Sequence, residues 1–259
     1  MGISADELIR YNECAENQYR KYQESIRRRA NGEPYAYIIG NKEFMKLKFK
    51  VDASTLIPRD DTEILVQKAI EEIESLNEIK KSILVAKKEK IRVLDMCTGS
   101  GCIAIALAKY VSNCEVDGVD ISQDALKIAI ENASSNNVKV NFIKSNLFEK
   151  INNHYDMIVS NPPYIVSSVI ENLQREVQKE PHIALDGGED GLYFYRKIAK
   201  EATNFLKNSG MLLFEIGFDQ GKKVSEILLN EGYKNIEVIK DLSGNDRVIV
   251  CYYEKGEEE

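Results

Sequence analysis

Four consecutive residues, Asn161, Pro162, Pro163 and Tyr164, follow the run Asp156, Met157, Ile158, Val159, Ser160 in a chain that has only five prolines among its 259 residues. Proline carries no backbone N–H, so two in succession remove two donors and stop a sheet ladder at that point. The residue before each proline is held near extended or polyproline geometry, which fixes the Asn161 side chain and the adjacent carbonyls. What remains is a rigid pocket rich in acceptors and poor in donors. Such a pocket complements a planar NH₂ group, and Tyr164 offers a face on which the conjugated plane can lie. The nitrogen of an amide or aromatic amine is a poor nucleophile because its lone pair is delocalised. Acceptors at Asn161 Oδ1 and the Pro162 carbonyl would orient it and favour its rehybridisation as an electrophile arrives. No general base has to be named, since the nitrogen becomes acidic only as the new bond forms.

A second stretch, Asp95-Met96-Cys97-Thr98-Gly99-Ser100-Gly101, closes a strand-like run and opens a helical one. Small residues there let the backbone turn sharply and approach a ligand, and the helix N-terminus presents free N–H groups. Asp120 closes VDGVD nineteen residues after Gly101, where dinucleotide folds place an acid on the two hydroxyls of a ribose. The turn lacks the G-x-G-x-x-G spacing, and the acid Asp95 precedes it. A carboxylate there suits a positively charged methionyl end better than a pyrophosphate. The expected ligand is therefore S-adenosylmethionine (SAM), with S-adenosylhomocysteine as product, rather than NAD.

These residues need a scaffold. From residue 91 onward short apolar runs alternate with helical segments: IRVLDM, CIAIALAKYV, EVDGVDI, SQDALKIAIENASSNN, VKVNFIKS, YDMIVS, GLYFYRKIAKEATNFLKN, MLLFEI, QGKKVSEILLNEG, NIEVIKD and RVIVCYY. Seven strands are expected, the last two joined by a turn at Ser243, Gly244 and Asn245, in a mostly parallel sheet with helices on both faces and one antiparallel edge strand. This places both motifs on the carboxyl edge, where open α/β sheets bind ligands. Upstream, residues 3–31 are charged and free of proline and glycine, and suit one or two surface helices. Residues 34–52 read as a β-hairpin, with Gly40 and Asn41 between its halves. Asp60 and Glu63 have capping-box spacing, and a helix is predicted from Thr62 to about Leu76. The lysine-rich stretch 80–90 and the acidic tail 256–259 read as solvated segments.

Thirty-five Lys and Arg against 42 Asp and Glu give a net charge of −7, which argues against a broad electrostatic footprint for nucleic acid. The five cysteines have no C-x-x-C spacing, and neither His154 nor His182 has a partner at metal-ligand spacing. A cytoplasmic protein with free thiols, no metal and no membrane association is expected, as is a monomer. Arg59 can contact substrate or pair with Asp60, Asp61 or another carboxylate. Arg27, Arg28 and Arg29 read as a solvated helix face. Glu180, Pro181 and His182 fall in a long loop suited to a lid.

The tetrapeptide resembles the signature of amino-methyltransferases of the class I SAM-dependent fold. That signature is shared by enzymes acting on DNA adenine N6, on rRNA guanine N2 and on protein glutamine N5, among which the residues by themselves do not choose. The wider pattern does: LIPRDDTE (56–63), DMCTGSGCIAIALA (95–108), VDIS (119–122), VSNPPYI (159–165), EPHIAL (180–185), DGGEDGLYFYR (186–196), FEIGFDQG (214–221) and GNDRV (244–248). In order along the chain, these are similar to the release factor glutamine methyltransferase family, often called HemK or PrmC. The resemblance implies a helical N-terminal domain (1–33), a β-hairpin linker (34–54) and a Rossmann-like methyltransferase domain (55–259). It implies as partner a class-I peptide chain release factor, methylated on the glutamine of its GGQ motif, and no direct nucleic-acid substrate. It implies that Cys97, Thr98, Gly99, Ser100 and Gly101 line the methionyl end of the cofactor, with Asp120 at the ribose, Leu147 by the adenine and Asn161 alongside. Asn161, Pro162, Pro163 and Tyr164 would hold the glutamine, the first two as catalytic groups. Three departures from the family pattern stand out: Cys97 replaces a glycine, Asn146 and Leu147 stand where Asp followed by Trp or Leu is common, and the N-terminal helical region is short.

Overall fold

The computed structural model describes residues 5–82 and 89–255. Most of the lysine-rich stretch and the acidic tail lie outside them. The charged N-terminal segment forms one helix, α1 (Ala5–Ala30), followed by the short α2 (Tyr35–Ile39). Gly40 ends α2 in the left-handed conformation, φ 73°, a position glycine fills without steric cost. The expected hairpin over 34–52 is therefore shorter and shifted. Its strands are β1 (Asn41–Phe44) and β2 (Leu47–Lys50), and its turn falls on Met45 and Lys46.

Both turn residues take positive φ, 50° and 58°, as a two-residue turn matched to strand twist requires. Tertiary contacts compensate for the absence of glycine there. Glu63 accepts from the Met45 N–H at 2.5 Å, and Tyr110 donates to the Met45 carbonyl. These contacts also correct the expected capping box: Asp60 pairs with Lys42 across to β1, and both carboxylates hold the hairpin rather than each other's backbone. The helix they precede, α3, runs Thr62–Ser82, longer than expected.

Next come β3 (Ile91–Met96), α4 (Cys102–Tyr110), β4 (Cys114–Asp120), α5 (Gln123–Ser135), β5 (Asn141–Lys144), β6 (Tyr155–Ser160), α6 (Tyr193–Ala202), β7 (Leu206–Glu215), α7 (Gly221–Asn230), β8 (Lys234–Lys240) and β9 (Asp246–Tyr253). The sheet order is β5-β4-β3-β6-β7-β9-β8. All neighbours are parallel except those involving β9. The antiparallel strand is thus not at the edge, as expected, but inserted between β7 and β8. The tight link from β8 forces β9 to reverse, and its apolar run, buried from Val248 to Cys251, is better covered inside the sheet than at its rim.

Two cores flank the sheet. On one face Val93, Met157, Val159 and Leu213 pack with α3, α4 and the hairpin phenylalanines Phe44 and Phe49, whose rings meet edge to face at 6.0 Å. On the other, Leu94, Met96, Ile158 and Phe214 pack with α6 and α7. Strand alternation sends successive residues to opposite cores. The hairpin is fastened to the sheet layer by Asn132 of α5, which bonds the Lys50 N–H and carbonyl and also the Ser100 carbonyl. No helix among the described residues is long and apolar enough to cross a membrane.

Candidate active site

Between β3 and β6 the chain order reverses, so their carboxyl ends flank a crevice. Met96 is in register with Ser160, and Ser160 Oγ donates to the Met96 carbonyl at 2.6 Å. The two segments singled out in the sequence therefore leave the sheet side by side. Above them lies a cavity of about 240 Å³. Its wall takes Cys97 and Gly99 from the turn after β3, Val119, Asp120, Ile121 and Ser122 from the end of β4, Ser145, Asn146 and Leu147 after β5, and Asn161 and Pro163 after β6. The segment at Ser54, Thr55 and Leu56 closes one side, and Pro181, Ile183, Ala184, Tyr193, Phe194 and Lys197 close another.

The turn after β3 alternates left-handed residues: Cys97 at φ 63°, Gly99 at 54° and Gly101 at 81°. A glycine would take the first of these without strain; Cys97 does so at a cost of about 1 kcal/mol. Burial pushes its thiol well above the ordinary range, so it is an uncharged packing group. A Cβ on Gly99 would stand in open space, whereas one on Gly101 would meet Ile105, Ala129 and Phe142 at 3.0–3.3 Å. Thr98, Ser100 and Gly101 shape the turn and are not part of the cavity wall.

Asp95 does not reach the wall either, contrary to the role expected for it at a methionyl end. It is fully buried and accepts from the Thr98 hydroxyl at 2.5 Å and the Ala104 N–H at 3.1 Å. It braces the turn from beneath, and burial raises its pKa to about 7. Asp120 does face the cavity. Its oxygens accept from the Gly99 N–H at 2.9 Å and the Ser122 N–H at 2.8 Å, which leaves lone pairs for further donors. Leu147, at φ 47°, adds a buried apolar surface to the cavity wall that Ile121 and Phe194 also line. The neighbouring Asn146 side chain is engaged with Glu149.

Asn161 donates from Nδ2 to Thr62 Oγ1 at 3.2 Å, which leaves Oδ1 as its acceptor. Pro162 and Pro163 are buried. The Tyr164 carbonyl accepts from Gln220 Nε2 at 3.0 Å, and Gln220 Oε1 in turn takes the Gly217 N–H. Gly187 and Gly191 wrap so closely on Tyr164 that an added Cβ would lie 2.7 Å and 2.5 Å from its backbone. This explains Gly187 and Gly191 of DGGEDG; Gly188, at φ 88°, takes a left-handed position against Tyr193. Sequence reading named Tyr164 but missed Gln220 and Thr62, whose partners lie 56 and 99 residues away. Arg59 pairs with Glu180 and not with its neighbours. Arg28 and Arg29 are likewise paired, with Glu33 and Glu176, so the arginine cluster is not simply a solvated face. His182 is exposed, 3.8 Å from Asp186.

The cavity combines the acid Asp120 at the end of β4, a close-approach glycine turn and an apolar slot, beside the acceptors of Asn161 and the double proline. On this seven-stranded order, the arrangement defines a class I SAM-dependent methyltransferase. A protein from Pyrococcus furiosus whose structure is titled a methyltransferase superposes with a TM-score of 0.59 at 19% identity, covering 85% of this chain and 95% of that one. Family models for the methyltransferase small domain and the PrmC N-terminal domain match residues 81–189 and 1–40. The release factor glutamine methyltransferase of Thermodesulfovibrio yellowstonii is 41% identical over 262 residues, 98% of this chain and 89% of that protein. That of Fusobacterium nucleatum is 43% identical over 92% of this chain, which spans 66% of the relative's length. The chain belongs to the release factor glutamine methyltransferase family.

Proposed function

We propose that the protein transfers a methyl group from SAM to the side-chain amide nitrogen of the GGQ glutamine in class-I release factors. The observation that carries this reading is the orientation of Asn161: with Nδ2 donated to Thr62, it offers Oδ1 beside a cavity shaped for a nucleoside. The residues present fit that cofactor. Asp120 would accept from the ribose hydroxyls, Gly99 would admit close approach of the methionyl end, and Leu147, Ile121 and Phe194 would enclose the adenine. When bound, SAM supplies an electrophilic methyl on a sulfonium.

The chain's own contribution is positioning. Asn161 Oδ1 and the Pro162 carbonyl accept the two amide protons, turn the nitrogen lone pair toward the cavity and stabilise positive charge as it develops on nitrogen. Tyr164, held at its carbonyl by Gln220, provides the face for the amide plane. One of the two amide protons is lost only after the arriving methyl has made the nitrogen a strong acid, so water suffices to take it.

The test uses methyl-labelled SAM with a purified release factor, the same factor with its GGQ glutamine replaced by alanine, and nucleic acid. Label on the unmodified factor alone is expected. Label on nucleic acid alone would sink the reading in favour of an adenine or guanine amino-methyltransferase.

A further inference from the structure

Behind Asn161 lies a polar chain that the reaction as described does not use. Thr62, the first residue of α3, is 2% exposed and receives the Asn161 amide N–H at 3.2 Å. Its side chain adjoins the Glu215 carboxyl at the end of β7 closely enough to favour the anion. Glu215 is 1% exposed, and its Oε2 is buried without a hydrogen-bond partner. Leaving a carboxylate oxygen unpaired in a core is costly. An apolar residue would pack there at no such cost, so the charge calls for a role.

The role follows from hydrogen-bond direction. An amide side chain presents an oxygen on one side and an NH₂ on the other, and the two ends have nearly the same shape. Pointed one way, Asn161 accepts a substrate NH₂; flipped, it repels one. An ionised carboxylate can only accept. Thr62 must then donate to Glu215, which leaves the Thr62 oxygen free to accept, and Asn161 must point its Nδ2 at Thr62. We propose that Glu215, acting through Thr62, is a positioning residue that fixes Asn161 with its oxygen toward the amide to be methylated. This rests on the proposed glutamine-amide substrate, although the orientation itself can be measured without substrate.

Burial holds the Glu215 proton more tightly than usual, raising its pKa to about 7, so the anion on which this orientation depends forms as pH rises through neutrality. Arg247 on β9 and Arg59 before α3 favour the anion; Asp61, Tyr164, Tyr195 on α6 and Cys102 on α4 oppose it. Arg247 is itself shared with Asp61 at 3.3 Å and Asp241 at 3.0 Å. The LIPRDDTE, FEIGFDQG and GNDRV segments, far apart in the chain, thus meet behind the tetrapeptide.

Four proteins decide the matter: the wild type, Thr62→Val, Thr62→Ser and Glu215→Gln. Methyl transfer to release factor is followed with SAM affinity by calorimetry, and the Asn161 side-chain amide by ¹⁵N–¹H correlation and proton exchange, assigned with Asn161→Ala. Thr62→Val is nearly isosteric and lacks the hydroxyl; its kcat should fall about 100-fold, the scale of a misplaced reacting group, with SAM affinity unchanged. Thr62→Ser restores kcat, and Glu215→Gln, able to offer either an oxygen or an N–H, loses about 10-fold. The protected Asn161 amide proton should persist in the serine variant and exchange freely in the valine variant. Wild-type kcat in Thr62→Val, equal losses in valine and serine variants, or unchanged exchange in Thr62→Val would overturn the relay. Absence of transfer by the wild type sinks the substrate assignment instead, and amide exchange then decides the relay alone.

Discussion

Glu180 accepts from the Ile57 backbone N–H at 2.9 Å and pairs with the Arg59 guanidinium, with its carboxyl almost fully buried. Ile57 adjoins the cavity residues Ser54, Thr55 and Leu56, and Glu180 adjoins Pro181, Ile183 and Ala184, which line the same cavity. One carboxylate therefore ties the segment entering α3 to the loop that follows the double proline, across 121 residues.

Removing that tie leaves a buried N–H and a cation without partners. Glu180→Ala should cost roughly 2–4 kcal/mol of unfolding free energy, read from urea transitions. Glu180→Gln retains an acceptor for Ile57 and should lose about half as much. SAM affinity should fall in both, because both walls of the cavity are hinged on this contact. Wild-type stability in the alanine variant would show that the two segments are held by other means.

Asn161 is needed for transfer far more than for cofactor binding. Asn161→Ala should lower kcat by about 100-fold or more while SAM affinity stays within about threefold. Single-turnover transfer and calorimetry check the two sides of this split. Loss of SAM affinity with the per-encounter transfer rate intact would contradict the acceptor role.

Burial raises the folded-state pKa of both Asp95 and Glu215 to about 7, above the range of an unfolded carboxyl, ~4. A carboxyl that holds its proton more tightly when folded stabilises the fold fully below its unfolded pKa. That contribution is lost as pH rises through the folded value. Ligand-free protein should thus lose roughly 2 kcal/mol or more of unfolding free energy between about pH 5 and about pH 8. Surface acids with lowered pKa, such as Asp186 and Asp190, have completed their opposite contribution by about pH 5. Glu215→Gln should flatten the decline; an unchanged slope in that variant would remove Glu215 from the account.

Much of this was legible in the chain. Strand periodicity and the double proline placed Cys97 and Asn161 on one sheet edge, because local pattern and the switch-point rule suffice for that. Local signals misled where tertiary contacts override them. Gly40 marked a turn, yet it caps a helix, while Met45 and Lys46 hold the hairpin turn only because Glu63 and Tyr110 grip its backbone. Asp60 and Glu63 had capping-box spacing but serve the hairpin. Thr62, Gln220 and Glu215 were invisible as partners of the tetrapeptide, since nothing local in sequence couples α3 or β7 to the loop after β6.

Two glycines of the turn after β3 should separate when each is replaced by alanine. Both carry positive φ, so each substitution costs about 1–2 kcal/mol in backbone conformation alone. At Gly101 the new Cβ would also stand 3.0 Å from Ile105, 3.1 Å from Ala129 and 3.3 Å from Phe142, where α4 packs against α5 and β5. Gly101→Ala should therefore lose about 1–3 kcal/mol more, and its defect should be one of folding. At Gly99 nothing lies within 4 Å, so Gly99→Ala should remain close to the conformational cost alone. Its Cβ would stand in the cavity wall, and SAM affinity should fall by about tenfold or more. Urea unfolding with calorimetry on the two variants distinguishes these defects. Equal stability losses, or undiminished SAM affinity in Gly99→Ala, would place the cofactor elsewhere than against this turn.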